Sequence, residues 1–303
     1  MERFEHLYRR LQQEIPGLDL RKNENMDRHT SFRVGGPAAL MAFPDTEEKL
    51  LLAVRAARSE GVEPICIGMG SNLLVDDGGL NAFVIKTAPQ MNACRVDGTS
   101  IYAEAGTPLA QVANIAAEHS LTGLEFAHGI PGSLGGAVTM NAGAYDGEMR
   151  QVIRTVRAIN QEGCVVELSG DQCAFEYRHS LFSGGSLLVL SAEMELKHGD
   201  EAVIRARMAE LMEKRREKQP LEWPSAGSTF KRPKGYFAAA LIDQCGLKGF
   251  RVGGAQVSEK HAGFVINAGG ATCNDVLRLM DEVRERVFRE TGVELEPEVK
   301  YFR

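Results

Sequence analysis

Two glycine-rich stretches hold the residues best suited to chemistry. The first, Gly68-Met-Gly70-Ser71-Asn72-Leu73, directly follows the apolar run PICIG. The second, HGIPGSLGGAVTMNAGAY at 128–145, has glycines at positions 129, 132, 135, 136 and 143. Glycine at this density serves positive φ, a tight turn or the close approach of a ligand. Exposed N–H groups in such a run can form an anion-binding concavity. Two such loops could grip one pyrophosphate from two sides through main-chain donors. Two plain glycine-rich turns in a β-rich domain would look the same, and spacing leaves both readings open. The common nucleotide fingerprints do fail. The second stretch gives Gly129-x-x-Gly132-x-x-Gly135-Gly136 instead of GxGxxG, and GxxxxGK[ST] occurs nowhere.

The elements that must position these loops can be read from periodicity and caps. The apolar residues Phe4, Leu7, Tyr8, Leu11 and Ile15 share one helical face, which predicts a docking helix within 1–20. A strand at 38–43 leads to a helix at 46–60, with Asp45 and Glu48 as its capping box and Gly61 as its stop. Strands follow at PICIG and 82–87, then a hairpin at 91–105 over DGTS. Thr107 and Pro108 suit the N-cap and first turn of a helix at 108–119. Beyond the second glycine run come strands in VIRTVRAIN, VVEL and SLLVLSAEMELK. A charged helix spans Asp200–Lys218. Last come a helix at 236–245, strands near 248–266, a helix at 273–291 and a strand at 294–302. The class is α+β, with a nucleotide-type domain up to about 196 and a second domain beyond.

Composition narrows the function classes. At 303 residues, with 44% hydrophobic and 25% charged residues, the chain has room for two or three ordinary globular domains. A net charge of −6 argues against nonspecific nucleic-acid binding, so an anionic ligand needs a local basic site. No run is long enough for a membrane span. Glu2, Glu5 and Glu14 argue against a secretory or transit segment. The six cysteines form no CxxC pair and no metal-ligand cluster, as expected of reduced thiols in a cytoplasmic protein.

The ordered set TSFRVGG (30–36), GMGSNLLV (68–75), GIPGSLGGAVTMNAGAY (129–145), YRHSLF (177–182), PSAGSTFKRP (224–233) and LEPEVKYF (295–302) resembles the UDP-N-acetylenolpyruvoylglucosamine reductases. The match runs nearly end to end. It resembles the type II branch, since no substrate-clamping insertion follows YRHSLF. The resemblance implies an FAD domain of the vanillyl-alcohol oxidase-like (PCMH) type over 1–196, in two α+β subdomains splitting near 87–90. It also implies an α+β substrate domain over 197–303, whose last strand, 294–302, returns to the flavin cleft. The implied activity is NADPH-dependent reduction, through non-covalent FAD, of UDP-N-acetylglucosamine-enolpyruvate to UDP-N-acetylmuramate for peptidoglycan. A monomer is expected.

Site residues follow from the same resemblance. Gly68, Gly70, Ser71, Asn72 and Leu73 would bind the cofactor. So would Gly129, Ile130, Pro131, Gly132, Ser133, Gly135, Gly136, Ala137, Asn141, Gly143 and Ala144. Ser228 matches the family's proton donor, although a serine between Gly and Thr is by itself most often a turn hydroxyl. Arg178 matches the arginine at the substrate carboxylate, where guanidinium geometry suits the charge. Read alone, it is a surface arginine beside a packed Tyr177. Glu298 matches a catalytic carboxylate. Period-two alternation of Leu295, Pro297, Val299 and Tyr301 otherwise puts it on a solvated face. Tyr177, Lys231 and Arg232 are expected to contact substrate, with Lys234, Lys248, Arg251 and Lys260 as further basic residues. Arg232 stands where many relatives carry a substrate-binding Asn, so its contact is expected to be phosphate. His29 and His128 flank the cofactor segments as ordinary structural or binding residues.

Overall fold

The computed structural model describes residues 2–303. Met1, the first residue of the expected N-terminal segment, lies outside the described residues. The chain forms two compact units. The first comprises residues 2–23, Ala39–Met69 and Ala82–Lys214, and the second Glu24–Ala38, Gly70–Asn81 and Arg215–Arg303. Gly68 therefore belongs to the first unit, and Gly70 to Leu73 belong to the second.

In the first unit, helix α1 (Glu2–Glu14) buries Phe4, Leu7 and Leu11, the face its periodicity gives. Helix α2 (Glu47–Ser59) follows, but its N-cap is Thr46, whose hydroxyl accepts from the Lys49 N–H. The expected cap, Asp45, instead pairs with the Lys49 ammonium. These helices share a core with Leu40, Phe83 and Ile85. The associated sheet runs Asp19–Asn25, Pro37–Phe43, Leu80–Lys86, Ile65–Ile67 in spatial order. A second, five-stranded sheet has the order Val165–Ser169, Ile153–Ile159, Leu188–Glu195, Ser100–Glu104, Cys94–Asp97, all neighbours antiparallel. Its core is closed by α3 (Leu109–Glu118) and α4 (Leu134–Thr139). Pro108 is the N-cap of α3, one residue earlier than its expected role, and its own side chain makes no capping bond. The short α4 lies within the second glycine run and holds Gly135 and Gly136, fixed there by the burial of Leu134 and Val138.

Helix α5 (Glu201–Lys218) carries the chain toward the second unit, whose helices are α6 (Ala238–Gln244) and α7 (Cys273–Thr291). Val276, Leu279, Met280, Val283 and Val287 form the buried stripe of α7. Its start is capped repeatedly. Thr272 and Asp275 form a reciprocal capping box, and the Asp77 carboxylate accepts from the Cys273 and Asn274 N–H groups at 2.7 and 3.0 Å. Thr272→Ala is expected to cost about 1 kcal/mol, read as a lower denaturant midpoint for the second unit. Asp275 is held below the usual carboxyl range, first by the Thr272 N–H and then by that of Gly254. Its stabilisation is therefore present above an unfolded pKa of about 4 and fades as the pH falls through the lower folded value.

The expected strand at 294–302 is shorter in fact. Only Lys300–Phe302 is a strand, pairing in parallel with Leu73–Val75. Pro297 lacks an N–H and makes only an isolated bridge to Phe230.

Candidate active site

In the first unit the two expected cofactor segments meet at Ser133. A Cβ on Gly68 would run into Ser133 Oγ, so only glycine lets Ile65–Ile67 lead its turn past that hydroxyl. Ser133 is 1% exposed, yet its Oγ has no hydrogen-bond partner among the described residues. It is the N-cap of α4 but does not cap it. His128 Nδ1 is a second buried atom without a partner among the described residues, and burial holds this imidazole below its usual range. Buried polar atoms are almost always satisfied, so two orphans in one six-residue stretch call for a ligand that completes them. These residues fit a polar group such as FAD.

Other members of the glycine run are occupied by the protein. The N–H groups of Leu134 and Gly135 donate to the Thr107 and Ala105 carbonyls at 2.9 and 2.8 Å. A Cβ on Gly135 would lie 2.9 Å from that of Ala105, so its close neighbour is a strand end. Gly136 is exposed, and a Cβ there would make only ordinary contact with Ser133 Oγ, at 3.8 Å. The Gly132 carbonyl accepts from Leu109, Ile130 packs on the core, Ala137 is buried and Pro131 and Gly129 lie at the surface end of the run. Gly143–Ala144 forms a tight antiparallel pair with Gly147–Glu148. Asn141 is 1% exposed, and its amide is used entirely by the protein.

Arg178 sits in a turn closed by two reciprocal backbone bonds between Glu176 and His179, at 3.0 and 3.2 Å. Its φ of 55° is left-handed, which costs a non-glycine residue about 1 kcal/mol. Such strain persists only where the surroundings over-determine it, and it clusters at functional sites. One guanidinium nitrogen donates to the Gly143 carbonyl at 3.3 Å, and the group lies 5.2 Å from the Tyr177 ring. Tyr177 itself is 52% exposed, so Arg178 is not the neighbour of a packed aromatic.

In the second unit, Ser228 and Glu298 lie on facing segments. Phe230 bridges Pro297, Glu298 N–H donates to the Thr229 carbonyl at 2.8 Å, and Lys231 N–H donates to the Glu296 carbonyl at 2.8 Å. Thr229 is buried and doubly fixed, its N–H on Gly263 and its hydroxyl accepting from Val265. The next residue back, Ser228, is half-buried, and its hydroxyl makes no hydrogen bond among the described residues. Gly227, at φ +75°, supplies the turn into this segment. Asn72 holds the other side: its Nδ2 donates to the Glu298 carbonyl at 3.2 Å and its own carbonyl accepts from Lys300 at 2.9 Å. Glu298 is half-buried rather than fully solvated.

The basic residues are largely engaged. Lys231 pairs with Glu296, Lys248 with Asp243 and Lys260 with Glu222, while Arg232 stacks 3.9 Å over the Phe237 ring. Lys234 and Arg251 are exposed, as are Ser71 and Leu73 in part. His29 is buried and joined to Glu24 at 2.9 Å. Sequence reasoning gave Ser31 no role, yet its N–H donates to the Gly70 carbonyl and its hydroxyl to that of Ser225. It thus ties three motif segments together, and its place in TSFRVGG was the available signal. A polar cleft of about 420 Å³ over the five-stranded sheet is lined by Arg95, Tyr102, Arg157 and Glu193. Its Arg157 is already held by both oxygens of Glu47, so the cleft reads as a solvated sheet face.

Comparison with known proteins agrees with both halves of this description. Residues 38–169 match the model of an FAD binding domain, and residues 219–302 match that of the UDP-N-acetylenolpyruvoylglucosamine reductase C-terminal domain. The chain is 47% identical to the UDP-N-acetylenolpyruvoylglucosamine reductase of Syntrophomonas wolfei, over 94% of this chain and 96% of that one. With the Clostridium tetani protein of the same name the identity is 44%, covering 99% and 97%. The crystal structure of UDP-N-acetylenolpyruvylglucosamine reductase from Thermus caldophilus superposes with a TM-score of 0.80 at 34% identity, over 94% of this chain and 99% of that one. At that identity over nearly its whole length, the chain belongs to the UDP-N-acetylenolpyruvoylglucosamine reductase family.

Proposed function

We infer that the chain reduces the enolpyruvyl group of UDP-N-acetylglucosamine-enolpyruvate to the lactyl ether of UDP-N-acetylmuramate, consuming NADPH, in peptidoglycan precursor synthesis. The observation that carries this reading is the near full-length identity to reductases of that name. Bound FAD would supply the relay of a hydride from NADPH to the substrate methylene. The segment 128–137 and Gly68 would hold it, with Ser133 Oγ and His128 Nδ1 gaining the partners they lack among the described residues.

The remaining chemistry falls to side chains. Hydride arrival at the terminal CH₂ leaves an electron pair on the adjacent carbon, delocalised into the carboxylate. Arg178 neutralises that carboxylate as charge grows there, an interaction that strengthens toward the transition state. Ser228 delivers the proton to the same carbon, and Glu298 assists by supplying or steadying that proton. Lys231 and Arg232 serve the diphosphate substrate, each after exchanging its present partner. The protein acts as a monomer in the cytoplasm. Among the described residues, no helix is long and apolar enough to cross a membrane.

An anaerobic visible spectrum tests this reading directly. Flavin bands of the purified protein are expected to bleach on NADPH and to return when the enolpyruvyl sugar nucleotide is added. Bands that bleach and stay bleached would remove the substrate assignment. A protein that neither carries flavin nor takes up FAD would remove the reading altogether.

A further inference from the structure

Asn141 has every hydrogen-bonding atom of its amide spoken for. Nδ2 donates to the Glu176 carbonyl at 3.0 Å and to Glu148 Oε2 at 2.9 Å, and Oδ1 accepts from the Arg150 N–H at 2.9 Å. The residue is 1% exposed and left-handed at φ 42°, a conformation asparagine tolerates better than most. It follows α4 by two residues, so it stands between the glycine run and the Gly143–Glu148 hairpin. Glu176 is the first residue of the turn that carries Arg178. The far side of that turn is tethered to the same place: Ser180 Oγ and Ser183 Oγ both donate to the Thr139 carbonyl, at 2.7 and 2.9 Å. The guanidinium itself rests on Gly143. Four bonds thus fasten residues 176–183 to residues 139–143, with Asn141 at their centre.

We propose that Asn141 is the positioning residue of Arg178, fixing the strained turn so that the guanidinium is held ready for the substrate carboxylate. Its part is mechanical and acts through another residue. Its side chain is buried and saturated, so it touches neither cofactor nor substrate. The proposal rests on the reading of Arg178 as the carboxylate's partner. The strain at Arg178 favours it: a left-handed arginine released from its tether relaxes, and a guanidinium displaced by about 1 Å can lose about 100-fold in rate.

The test is stopped-flow measurement of the two half-reactions on flavin-loaded protein. In Asn141→Ala, flavin reduction by NADPH is expected to stay within about twofold of the parent, while reoxidation by the enolpyruvyl sugar nucleotide slows by about 30- to 100-fold. In an Arg178→Ala background, Asn141→Ala is expected to add less than about a twofold loss, because both changes remove one interaction. Full multiplication of the two losses, or equal losses in both half-reactions, would overturn the proposal in favour of a general structural role. Should Asn141→Ala fail to fold, Ser180→Ala loosens the other end of the turn. It must show the same split, confined to reoxidation and absorbed by Arg178→Ala; unchanged reoxidation would count against the proposal. Arg178→Ala alone separates the two levels. If it leaves reoxidation intact, the assignment of Arg178 falls; if it slows reoxidation but Asn141→Ala does not, only the positioning role falls.

Discussion

Ser228→Ala is expected to leave flavin reduction by NADPH intact and to lower product formation by about 10²- to 10⁴-fold, the range general acids contribute. The asymmetry follows from the order of the chemistry. Carbon gains its proton only in the half-reaction that reduces the enolpyruvyl group, so a proton donor acts only there. The local structure makes the substitution clean. Ser228 is half-buried, its hydroxyl bonds to nothing among the described residues, and its neighbour Thr229 anchors the segment through Gly263 and Val265. Removing one oxygen therefore leaves the ladder to Glu298 in place. A serine that merely shaped its turn would show a loss of stability and parallel losses in both half-reactions. A thousandfold loss is about 4 kcal/mol of barrier, beyond what such misalignment supplies. Stopped-flow traces of both half-reactions, with a thermal melt of the same variant, decide between them. Undiminished product formation would remove Ser228 from the mechanism.

Sequence was a good guide wherever a signal was local. Helix α7 reads correctly at 273–291 because its apolar stripe, its Thr272–Asp275 box and Gly292 all lie within one segment. The cap of α2 shifts by one residue because Asp45 and Thr46 compete for Lys49. The threonine takes the N–H and the aspartate takes the ammonium. The glycine run shows the limit more sharply. Its composition says that something approaches the backbone, but not whether that neighbour is a ligand or the protein. Gly135 makes room for Ala105 and Gly143 for the Gly147–Glu148 strand, while at Gly136 a Cβ would meet only Ser133 Oγ, at 3.8 Å. Likewise the grouping of Glu24–Ala38 and Gly70–Asn81 with residues 215–303 depends on long-range pairing, such as Leu73–Val75 with Lys300–Phe302, for which no short window carries a signal. For Ser228, Arg178 and Glu298 residue type alone favoured bland readings. The roles proposed for them rest on the whole ordered set of motifs.

Glu298→Gln is expected to behave like Ser228→Ala: flavin reduction preserved and product formation down by about 10²- to 10³-fold. Period-two reasoning puts this glutamate on a polar face, where most are simply hydrated. The structure shows it half-buried, with its N–H on Thr229 and its carbonyl held by Asn72. Glutamine keeps the size of the side chain, and both backbone bonds remain available. It cannot carry the negative charge or pass on a proton as a carboxyl group does, so the variant separates shape from chemistry. The double variant is the sharper measurement. If Ser228 and Glu298 manage one proton as a unit, removing both should cost little more than the worse single change, as coupled catalytic groups do. Losses that multiply would mean that each residue stabilises the reaction independently, with Glu298 acting through charge alone. Full activity in Glu298→Gln would return the residue to the solvated face that its alternation describes.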